Sequence, residues 1–362
     1  MPPKPVRLSD VARAAGVSVP TASQVMNGTG RVAEETRRRV LRIARELDYR
    51  PNALARSVAL GRSRTIGVLA ENAAGAFCMP VLIGINRALS SRDLASILYD
   101  ARHDPTLRHE HVRHMLDRQV DGIIVIGEGS DVVIAELGEE FHGPVVHAFG
   151  PADPPHAVSV RPDEAAGGEL AARRLIELGR RRIAHVTADP ALASVAARRE
   201  GFERALADAG QRPALVLHGD FTRAWGQRAA DELLAQGPDI DAVFAANDAI
   251  AIGLSAALTA RGVRIPEDVA VIGYDNVAGY GDDIDPYLSS IDPRLERVGE
   301  RAALVLMAAL SDDSADSSPV SPVLVEGAST LGGGDATRHR LVDALLRSST
   351  APAVGAPSPP RR

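Results

Sequence analysis

The chain has 362 residues, of which 45% are hydrophobic and 24% charged, with no apolar stretch near the ~20 residues of a membrane span and no apolar N-terminal run typical of a secretory signal. Its single cysteine, Cys78, excludes an internal disulfide and a cysteine zinc cluster. Because the sequence also shows neither a signal nor a membrane span, we expect a cytoplasmic protein. Its length predicts two or three globular domains. The net charge of −6 is unevenly distributed. Residues 1–64 carry 13 Lys/Arg and 5 Asp/Glu, whereas the remaining residues carry 28 Lys/Arg and 42 Asp/Glu. A basic N-terminal segment before an acidic remainder is typical of a phosphate-binding domain joined to a domain that does not bind nucleic acid.

The first predicted elements are two short helices joined by a tight turn, in the segment LSDVARAAGVSVPTASQVMN at residues 8–27. Gly16 is expected to end the first helix, because glycine adopts a left-handed conformation without steric cost. Ser18 is expected to cap a second helix at residues 19–26, where Pro20 is tolerated in the first turn. This pattern predicts a helix-turn-helix unit, whose second helix lies in a DNA major groove. An ordinary helical hairpin is the alternative.

A third amphipathic helix is predicted from residue 32 onward. Its apolar face closes a three-helix core and consists of Val40, Leu41, Ile43, Ala44 and Leu47. The segment YRPNALARS follows at residues 49–57.

On the segments DVARAAGVSVPTASQVMN, RVAEETRRRV and YRPNALARS, the chain resembles the LacI/GalR family of bacterial transcription repressors. The resemblance implies a helix-turn-helix DNA-binding domain at residues 1–50 and a hinge helix with its linker at residues 51–64. It further implies a two-lobed effector-binding and dimerisation domain of the type I periplasmic-binding-protein-like fold at residues 65–331. The composition of residues 332–362 predicts a disordered tail.

After residue 64, apolar strand-like segments alternate with helix-like ones. The predicted strands are residues 65–70, 94–99, 121–126, 144–149, 182–188, 214–218, 242–246, 269–273, 288–291 and 322–326. The clearest helical stretches are residues 164–178, 196–209 and 249–260. This alternation favours an α/β fold with parallel sheets covered on both faces. Because so many strands exceed one ordinary sheet, we expect two doubly wound lobes, with segment 288–291 leading back to the first lobe.

The resemblance implies that the second helix reads double-stranded DNA. Base contacts are expected from Val19, Pro20 and Gln24, and phosphate contacts from Ser18, Thr21, Ser23 and Asn27. Gln24 stands where many relatives carry arginine. Since glutamine matches adenine and arginine matches guanine, we predict a more A·T-containing half-site at this position.

Residues 52–58 resemble the hinge helix that folds on DNA and inserts a leucine into the minor groove. Its expected DNA contacts are Asn52, Ala55, Arg56 and Val58. Val58 occupies the leucine position and is one methylene shorter, which would weaken the apolar wedge by about 1 kcal/mol. Two hinge helices must meet at the centre of the site, so the resemblance implies a homodimer on a palindromic operator.

The resemblance also places effector-binding side chains around the cleft between the lobes. They are Asn72, Phe77, Phe149, Arg198, Phe221, Asn247 and Asp275. Arg198 is expected to reach across the cleft, and Asn247 and Asp275 are expected to bind hydroxyls or ring nitrogens at strand ends. An inter-lobe salt bridge between Arg198 and Asp275 is the structural alternative.

The first lobe departs from the family pattern. Relatives carry Asp-x-x-Asn-Pro-Phe-Phe where this chain has NAAGAFC at residues 72–78, and many carry an aspartate at the position of Phe149. The cleft is therefore expected to offer fewer hydrogen-bond partners on this side. A sugar is the leading expectation for the effector, and a nucleoside or another partly apolar molecule is the alternative.

Other classes of protein explain less of the sequence. No serine lies in a nucleophile-elbow pattern, and Gly332–Gly334 lacks the lysine of a phosphate loop, so we expect neither catalysis nor a cofactor. Four histidines cluster at residues 103–114, but neither a carboxylate nor a cysteine was found to complete a tetrahedral metal set. A solute-binding protein would leave the basic head unexplained, and an architectural DNA protein would leave the cleft domain unexplained. Repression and activation, and release or promotion of DNA binding by the effector, are compatible with the sequence.

Overall fold

The computed structural model describes residues 6–49, 62–138, 140–153, 157–236, 239–277 and 287–332. Its contacts divide the chain into a small N-terminal unit that ends at Arg64 and a large unit that begins at Thr65. In the described part of the chain, every helix is too short or too polar to cross a membrane. The two units are considered separately below.

The small unit is a bundle of three helices, α1 (Leu8–Ala15), α2 (Val19–Met26) and α3 (Glu34–Glu46). Gly16 ends α1 with a φ of 65°, as the sequence predicts. The buried core is made of Val11, Ala12, Ala15, Ala22, Val25, Val40, Ile43 and Ala44. Leu47 was expected in this core, but it lies beyond the end of α3 and is 37% exposed.

The first lobe of the large unit is built on a five-stranded parallel sheet of order β2-β1-β3-β4-β5. Its elements are β1 (Thr65–Ala70), α4 (Cys78–Ser90), β2 (Ala95–Asp100), α5 (Pro105–Asp117), β3 (Gly122–Ile126), β4 (Val145–Ala148) and β5 (Ser159–Val160). Near-continuous burial of β1 and β3 is what a sheet covered on both faces requires.

The second lobe is built on a six-stranded sheet of order β11-β10-β9-β8-β6-β7. Its elements are α6 (Glu164–Glu177), β6 (Ile183–Thr187), α7 (Ala193–Asp208), β7 (Leu215–His218), α8 (Arg223–Gln236), β8 (Ala242–Ala245), α9 (Asp248–Ala260), β9 (Ala270–Tyr274), β10 (Ser289–Asp292), β11 (Val323–Val325) and α11 (Ala328–Leu331). The strands are parallel except for β11, which runs antiparallel to β10. Separate apolar clusters lie on the two faces, so the predicted doubly wound architecture is confirmed.

The chain passes between the lobes more than once. After β10 it returns to the first lobe as α10 (Leu295–Ala309), whose Val298, Ala302 and Leu306 pack into the core of that lobe. Backbone hydrogen bonds tie two of the connecting segments together: Asp163 N donates to Val320 O at 2.9 Å, and Val320 N donates to Arg161 O at 2.8 Å. The expected return at residues 288–291 is confirmed.

Glycines allow α6 and α7 to pack closely. A Cβ atom at Gly168 would lie 1.9 Å from the carbonyl oxygen of Arg198, and one at Gly201 would lie 1.8 Å from that of Ala165. Real Cβ atoms cannot approach backbone so closely, and the two helices could not keep this separation with larger residues. This packing brings the start of α6 against the middle of α7.

All ten predicted strands are present, and each end lies within one residue of its predicted position. β5 was not predicted, because it is only two residues long and one of them is Ser159. The helix predicted at residues 196–209 begins earlier, at Ala193.

Candidate DNA-reading helix and effector cleft

The exposed face of α2 is set by its capping and by its buried residues. Ser18 Oγ accepts a hydrogen bond from Thr21 N at 3.2 Å, which fixes the start of the helix. Ala22 and Val25 are buried against the other helices. The opposite side of the helix is thereby turned to solvent, including Val19, which is 45% exposed.

The residues expected to contact DNA on α2 follow this division. Ser18, Val19, Pro20, Gln24 and Asn27 are exposed, whereas Thr21 and Ser23 are half-buried. Asn27 Nδ2 donates to Ser23 Oγ at 3.3 Å, so these two side chains are paired with one another. The side chain of Gln24 lies against Gly30, where an added Cβ would be 2.8 Å from its Cδ. Gln24 must therefore swing away from Gly30 to reach a base.

Free positive charge is available in the same unit. Within residues 6–49, Arg31, Arg37 and Arg39 form no ion pair, whereas Arg38 and Arg42 bind carboxylates one helical turn away. Unpaired guanidinium groups suit DNA phosphates. The expected hinge contacts Asn52, Ala55, Arg56 and Val58 lie outside the described residues.

Arg198 is buried at the cleft and is held from three sides. Its Nε donates to Glu164 Oε2 at 2.8 Å, and its Nη1 donates to Ala246 O at 2.6 Å. The guanidinium carbon lies 3.6 Å from the centre of the Tyr274 ring. All four residues belong to the second lobe. The carboxylate that binds Arg198 directly is that of Glu164 and not that of Asp275.

Glu164, the first residue of α6, is only 8% exposed and accepts hydrogen bonds from both lobes. Ser130 Oγ of the first lobe donates to its Oε1 at 2.8 Å, and Tyr274 Oη of the second lobe donates to its Oε2 at 2.7 Å. Burial alone would raise the pKa of Glu164, but the charge of Arg198 and these hydrogen bonds outweigh it and lower the pKa. Glu164 is therefore an ionised, buried carboxylate.

A second polar contact joins the lobes next to this one. The Asp131 carboxylate of the first lobe accepts hydrogen bonds from Ser194 N at 2.8 Å and Ser194 Oγ at 2.6 Å. Ser194 lies in the first turn of α7, where an anion is favoured by the free N–H groups. The consecutive residues Ser130 and Asp131 thus bind two different helices of the second lobe.

Asp275 directly follows β9, and its carboxylate has no hydrogen-bond donor among the residues that the structure describes. Burial raises its pKa well above the usual value; the positive charge of Arg198 acts in the opposite direction, and the charges of Asp248 and Glu164 add to the rise. A carboxyl group that lacks protein donors at a cleft is suited to bind a polar ligand.

Asn247 is committed to the fold through its side chain. Its Oδ1 accepts from Ile250 N at 2.9 Å as the N-cap of α9, and its Nδ2 donates weakly to Phe221 O at 3.4 Å. Phe221 is half-buried and packs against the apolar core of the second lobe. This contact brings two of the expected effector residues together, and it leaves Asn247 with one further N–H donor and one further acceptor site.

On the first lobe, Phe77 and Phe149 form an aromatic pair whose ring centres are 5.5 Å apart in an edge-on arrangement. Phe149 has a φ of 58°, an uncommon conformation for a large residue and one associated with functional sites. A Cβ at Gly129 would be 3.7 Å from the Phe149 ring, so this pair adjoins the loop that carries Ser130.

Asn72 also binds within the first lobe. Its Nδ2 donates to Glu128 Oε1 at 3.0 Å, and Glu128 Oε2 lies 3.3 Å from His103 Nε2. The expectation of a cleft with few polar partners on this side overlooked Glu128. This residue follows β3 by two positions, and its place at a strand end was the available signal.

Sequence reasoning also missed Glu164, Ser130 and Asp131. Glu164 reads as an ordinary acidic residue in the first turn of a helix, and nothing in its spacing indicates a partner 34 residues away.

The histidine cluster does not form a metal site in the part of the chain that the structure describes. The centre of the His111 ring lies 4.8 Å from that of Tyr99, and no three metal-ligating side chains converge in the described ranges.

Two family models match most of the chain. Residues 63–322 match the family described as periplasmic binding proteins and sugar binding domain of LacI family, and residues 7–52 match bacterial regulatory proteins, lacI family. The chain belongs to the LacI family.

Named relatives of this LacI-family chain are transcriptional regulators. It is 35% identical to the HTH-type transcriptional regulator CelR of Thermobifida fusca over 88% of the chain and 95% of that protein. It is 33% identical to the HTH-type transcriptional repressor PurR of Erwinia tasmaniensis over 90% of the chain and 97% of that protein. The chain is therefore a DNA-binding transcriptional regulator with an effector-binding domain, and not an enzyme.

Solved structures of the LacI family share its fold. A CelR–cellobiose complex superposes with a TM-score of 0.56 at 30% identity, covering 89% of the chain and 98% of that structure. A lac repressor dimer bound to operator and an anti-inducer superposes with a TM-score of 0.65 at 25% identity, covering 91% and 100%.

Proposed function

We propose that this LacI-family protein is a repressor that binds a palindromic operator as a homodimer and is controlled by a sugar in the cleft between its lobes. The observation that carries the proposal is the capped α2, which presents Gln24 and its polar neighbours on its exposed face while Ala22 and Val25 are buried. A surface of this kind matches the width and the donor and acceptor pattern of a major groove.

The proposed DNA contacts divide into base-reading and phosphate-binding groups. Val19, Pro20 and Gln24 are proposed to read bases, with Gln24 pairing with adenine. Phosphate contacts are proposed for Ser18, Thr21, Ser23 and Asn27, with the unpaired arginines of the same unit adding affinity without sequence preference. The hinge residues Asn52, Ala55, Arg56 and Val58 are proposed to contact the minor groove.

An exposed apolar surface on the first lobe supports the homodimer. Met79 and Ile83 of α4 are 55% and 40% exposed, and Leu98 of the edge strand β2 is 41% exposed. Ser96 Oγ donates to Asn86 Oδ1 at 2.6 Å, so β2 and α4 lie side by side and these side chains form one surface. A second copy would bury it, as the dimeric state of the similar lac repressor structure suggests.

The chemistry of the cleft supports a small polar effector with an apolar face. Asp275 and the adjacent polar groups are suited to hydroxyls, and the Phe77–Phe149 pair is suited to the apolar face of a sugar ring. The similar CelR structure is a complex with cellobiose. Hydrogen bonds at Glu164 and Asp131 join the two lobes, and an effector that strengthened or broke them would change the lobe arrangement and with it the affinity for DNA.

Selection of bound fragments from genomic DNA with the full chain tests the proposal. We expect a palindromic site, a dimer by analytical ultracentrifugation at the concentrations that bind it, and loss of binding when residues 1–60 are removed. Cellobiose and a panel of mono- and disaccharides should then shift the affinity for the selected duplex, with nucleosides as the comparison set. A monomer that binds the duplex, or selection that the truncated chain reproduces, would contradict the proposal.

A further inference from the structure

The cleft contains a guanidinium group whose charge is already balanced. The carboxylate of Glu164 lies against Arg198, and both groups are more than nine-tenths buried. Glu164 is held in place by hydrogen bonds from Ser130 and Tyr274 in addition to that from Arg198. Buried ion pairs with this many hydrogen bonds do not dissociate readily, because each separated charge would be left poorly solvated.

The remaining donor of Arg198 is free for a ligand. Its Nε and Nη1 are used by Glu164 and Ala246, and its Nη2 has no acceptor among the described residues. A hydroxyl or carbonyl oxygen needs only this one donor. A phosphate or carboxylate binds arginine through two adjacent donors, and no such pair is free here, because Nε is bound to Glu164 and Nη1 to Ala246.

Two further carboxyl groups, Asp275 and Asp248, interact electrostatically with Arg198. Burial raises the pKa of both, so the ionised carboxylate that an anion would meet is that of Glu164, and it already offsets the charge of Arg198. The field at this point is therefore unfavourable to an anionic effector.

We propose that Glu164 determines the charge of the effector: by holding Arg198, it makes the cleft accept a neutral or cationic polar molecule and reject phosphorylated and carboxylated ones. This inference rests on the proposed function, in which the cleft binds the effector. It adds that phosphorylated sugars and sugar acids are excluded as effectors, and that the residue responsible is Glu164 and not the aromatic pair of the first lobe.

Inorganic phosphate is the probe for this inference, and titration calorimetry of the full chain in a chloride buffer is the measurement. Glu164→Gln keeps the shape of the side chain and removes its charge, which releases Arg198 for an anion. We expect this variant to bind phosphate at least about tenfold more tightly than the unsubstituted chain. The gain should vanish when Arg198→Gln is added, since the released guanidinium is the site.

Two control variants separate charge from other effects. Glu164→Asp keeps the negative charge and should reject phosphate as the unsubstituted chain does. Glu169→Gln removes a carboxylate from the exposed side of the same helix, where Glu169 binds Arg173 and Arg204, and it should leave phosphate binding unchanged. Weak binding of phosphate to the basic N-terminal unit is common to all variants and cancels in the comparison.

An affinity of Glu164→Gln for phosphate within about twofold of that of Glu169→Gln would overturn the inference. If Glu164→Gln is unfolded in chloride buffer, phosphate should restore its circular dichroism spectrum, and failure to do so would equally count against it. The experiment uses no DNA. Loss of operator binding would therefore contradict the proposed function without affecting the interpretation of the phosphate titration. If the operator is bound normally but Glu164→Gln does not bind phosphate, only this inference is contradicted.

Discussion

The small unit and the cleft hold their functional side chains in opposite ways. On α2 the side chains expected to contact DNA are exposed or half-buried and are restrained only by neighbours a turn away, such as the Ser23–Asn27 pair. In the cleft, Arg198 and Glu164 are buried and receive or donate hydrogen bonds over long sequence separations. We therefore expect substitutions on α2 to change DNA binding without changing stability, whereas substitutions in the cleft should change both effector binding and stability.

The largest expected effect is that of Arg198→Met, which leaves the buried Glu164 carboxylate without its positive partner. Removing one member of a buried ion pair costs about 3–5 kcal/mol. We expect a fall of that size in the free energy of unfolding of the large unit, measured by urea denaturation with the fluorescence of Trp225, the single tryptophan of the chain.

Arg204→Met is the matched control for that measurement. Arg204 lies on the same helix and binds Glu169 at 3.0 Å, but its side chain is half exposed. Exposed ion pairs contribute less than about 1 kcal/mol, so this variant should unfold near the midpoint of the unsubstituted chain. Equal costs for the two variants would remove the distinction between the buried cleft and the exposed surface.

Next in size is Gly168→Ala, which tests the close packing that carries Glu164 to Arg198. The added methyl group would lie 1.9 Å from the Arg198 carbonyl oxygen, a backbone atom that cannot move without shifting α7. Overpacking of this kind costs about 1–3 kcal/mol. Urea denaturation should show that loss, and the response of DNA binding to the effector should weaken because the Arg198–Glu164 contact is displaced.

Gly67→Ala separates backbone crowding from the mere addition of a methyl group. At Gly67 the nearest atom is Met115 Sδ, at 2.6 Å, which belongs to a flexible side chain. Its cost should therefore be smaller than that of Gly168→Ala. The reverse order would show that helix separation in the second lobe is less constrained than the structure indicates.

Asp248 provides a pH-dependent test of burial in the second lobe. Burial raises the pKa of its carboxyl group to about 6, although Ser290 Oγ and Val277 N donate hydrogen bonds to it. The native state therefore holds this proton more tightly than the unfolded state. The contribution of Asp248 to the free energy of unfolding is fully present below about pH 4, and it is lost as the pH rises through about 6.

Asp248→Asn should remove that dependence. Relative to the unsubstituted chain, its free energy of unfolding should improve by roughly 2–3 kcal/mol between pH 4 and pH 7. Denaturation at a series of pH values measures the difference, in which other titrating groups such as His185 cancel. A difference for Asp248→Asn that does not change with pH would mean that its carboxyl group is not desolvated.

The sequence predicted the fold nearly completely, and it predicted the cleft only in part. Strands such as β3 and β8 are short apolar runs between helices, so local patterns suffice to place them. Glu164 has no such local signature. Its role depends on the glycine-mediated approach of α6 to α7 and on Ser130 from the other lobe, contacts that form only when the chain is folded.

The effector residues inferred from the resemblance show the same limit. Phe77 and Phe149 lie together, and Arg198 is buried beside Glu164. The partner of Arg198 could not be read from the sequence, because Asp275 and Glu164 are equally plausible carboxylates until the ends of β9 and α6 are placed. Asn247 matches a ligand-binding position, yet its side chain caps α9.

Gln24→Ala has the smallest expected effect on stability, and it tests whether the exposed face of α2 reads DNA bases. The side chain is exposed and lies against Gly30, so the free energy of unfolding should change by less than about 0.5 kcal/mol. Affinity for the selected operator should fall about tenfold, with relaxed preference at one base pair in each half-site, because a bidentate contact to adenine is worth about 1–3 kcal/mol. Binding selections with both proteins measure this preference. Selection of guanine opposite Gln24, together with an unchanged profile for the alanine variant, would show that this residue does not read the base.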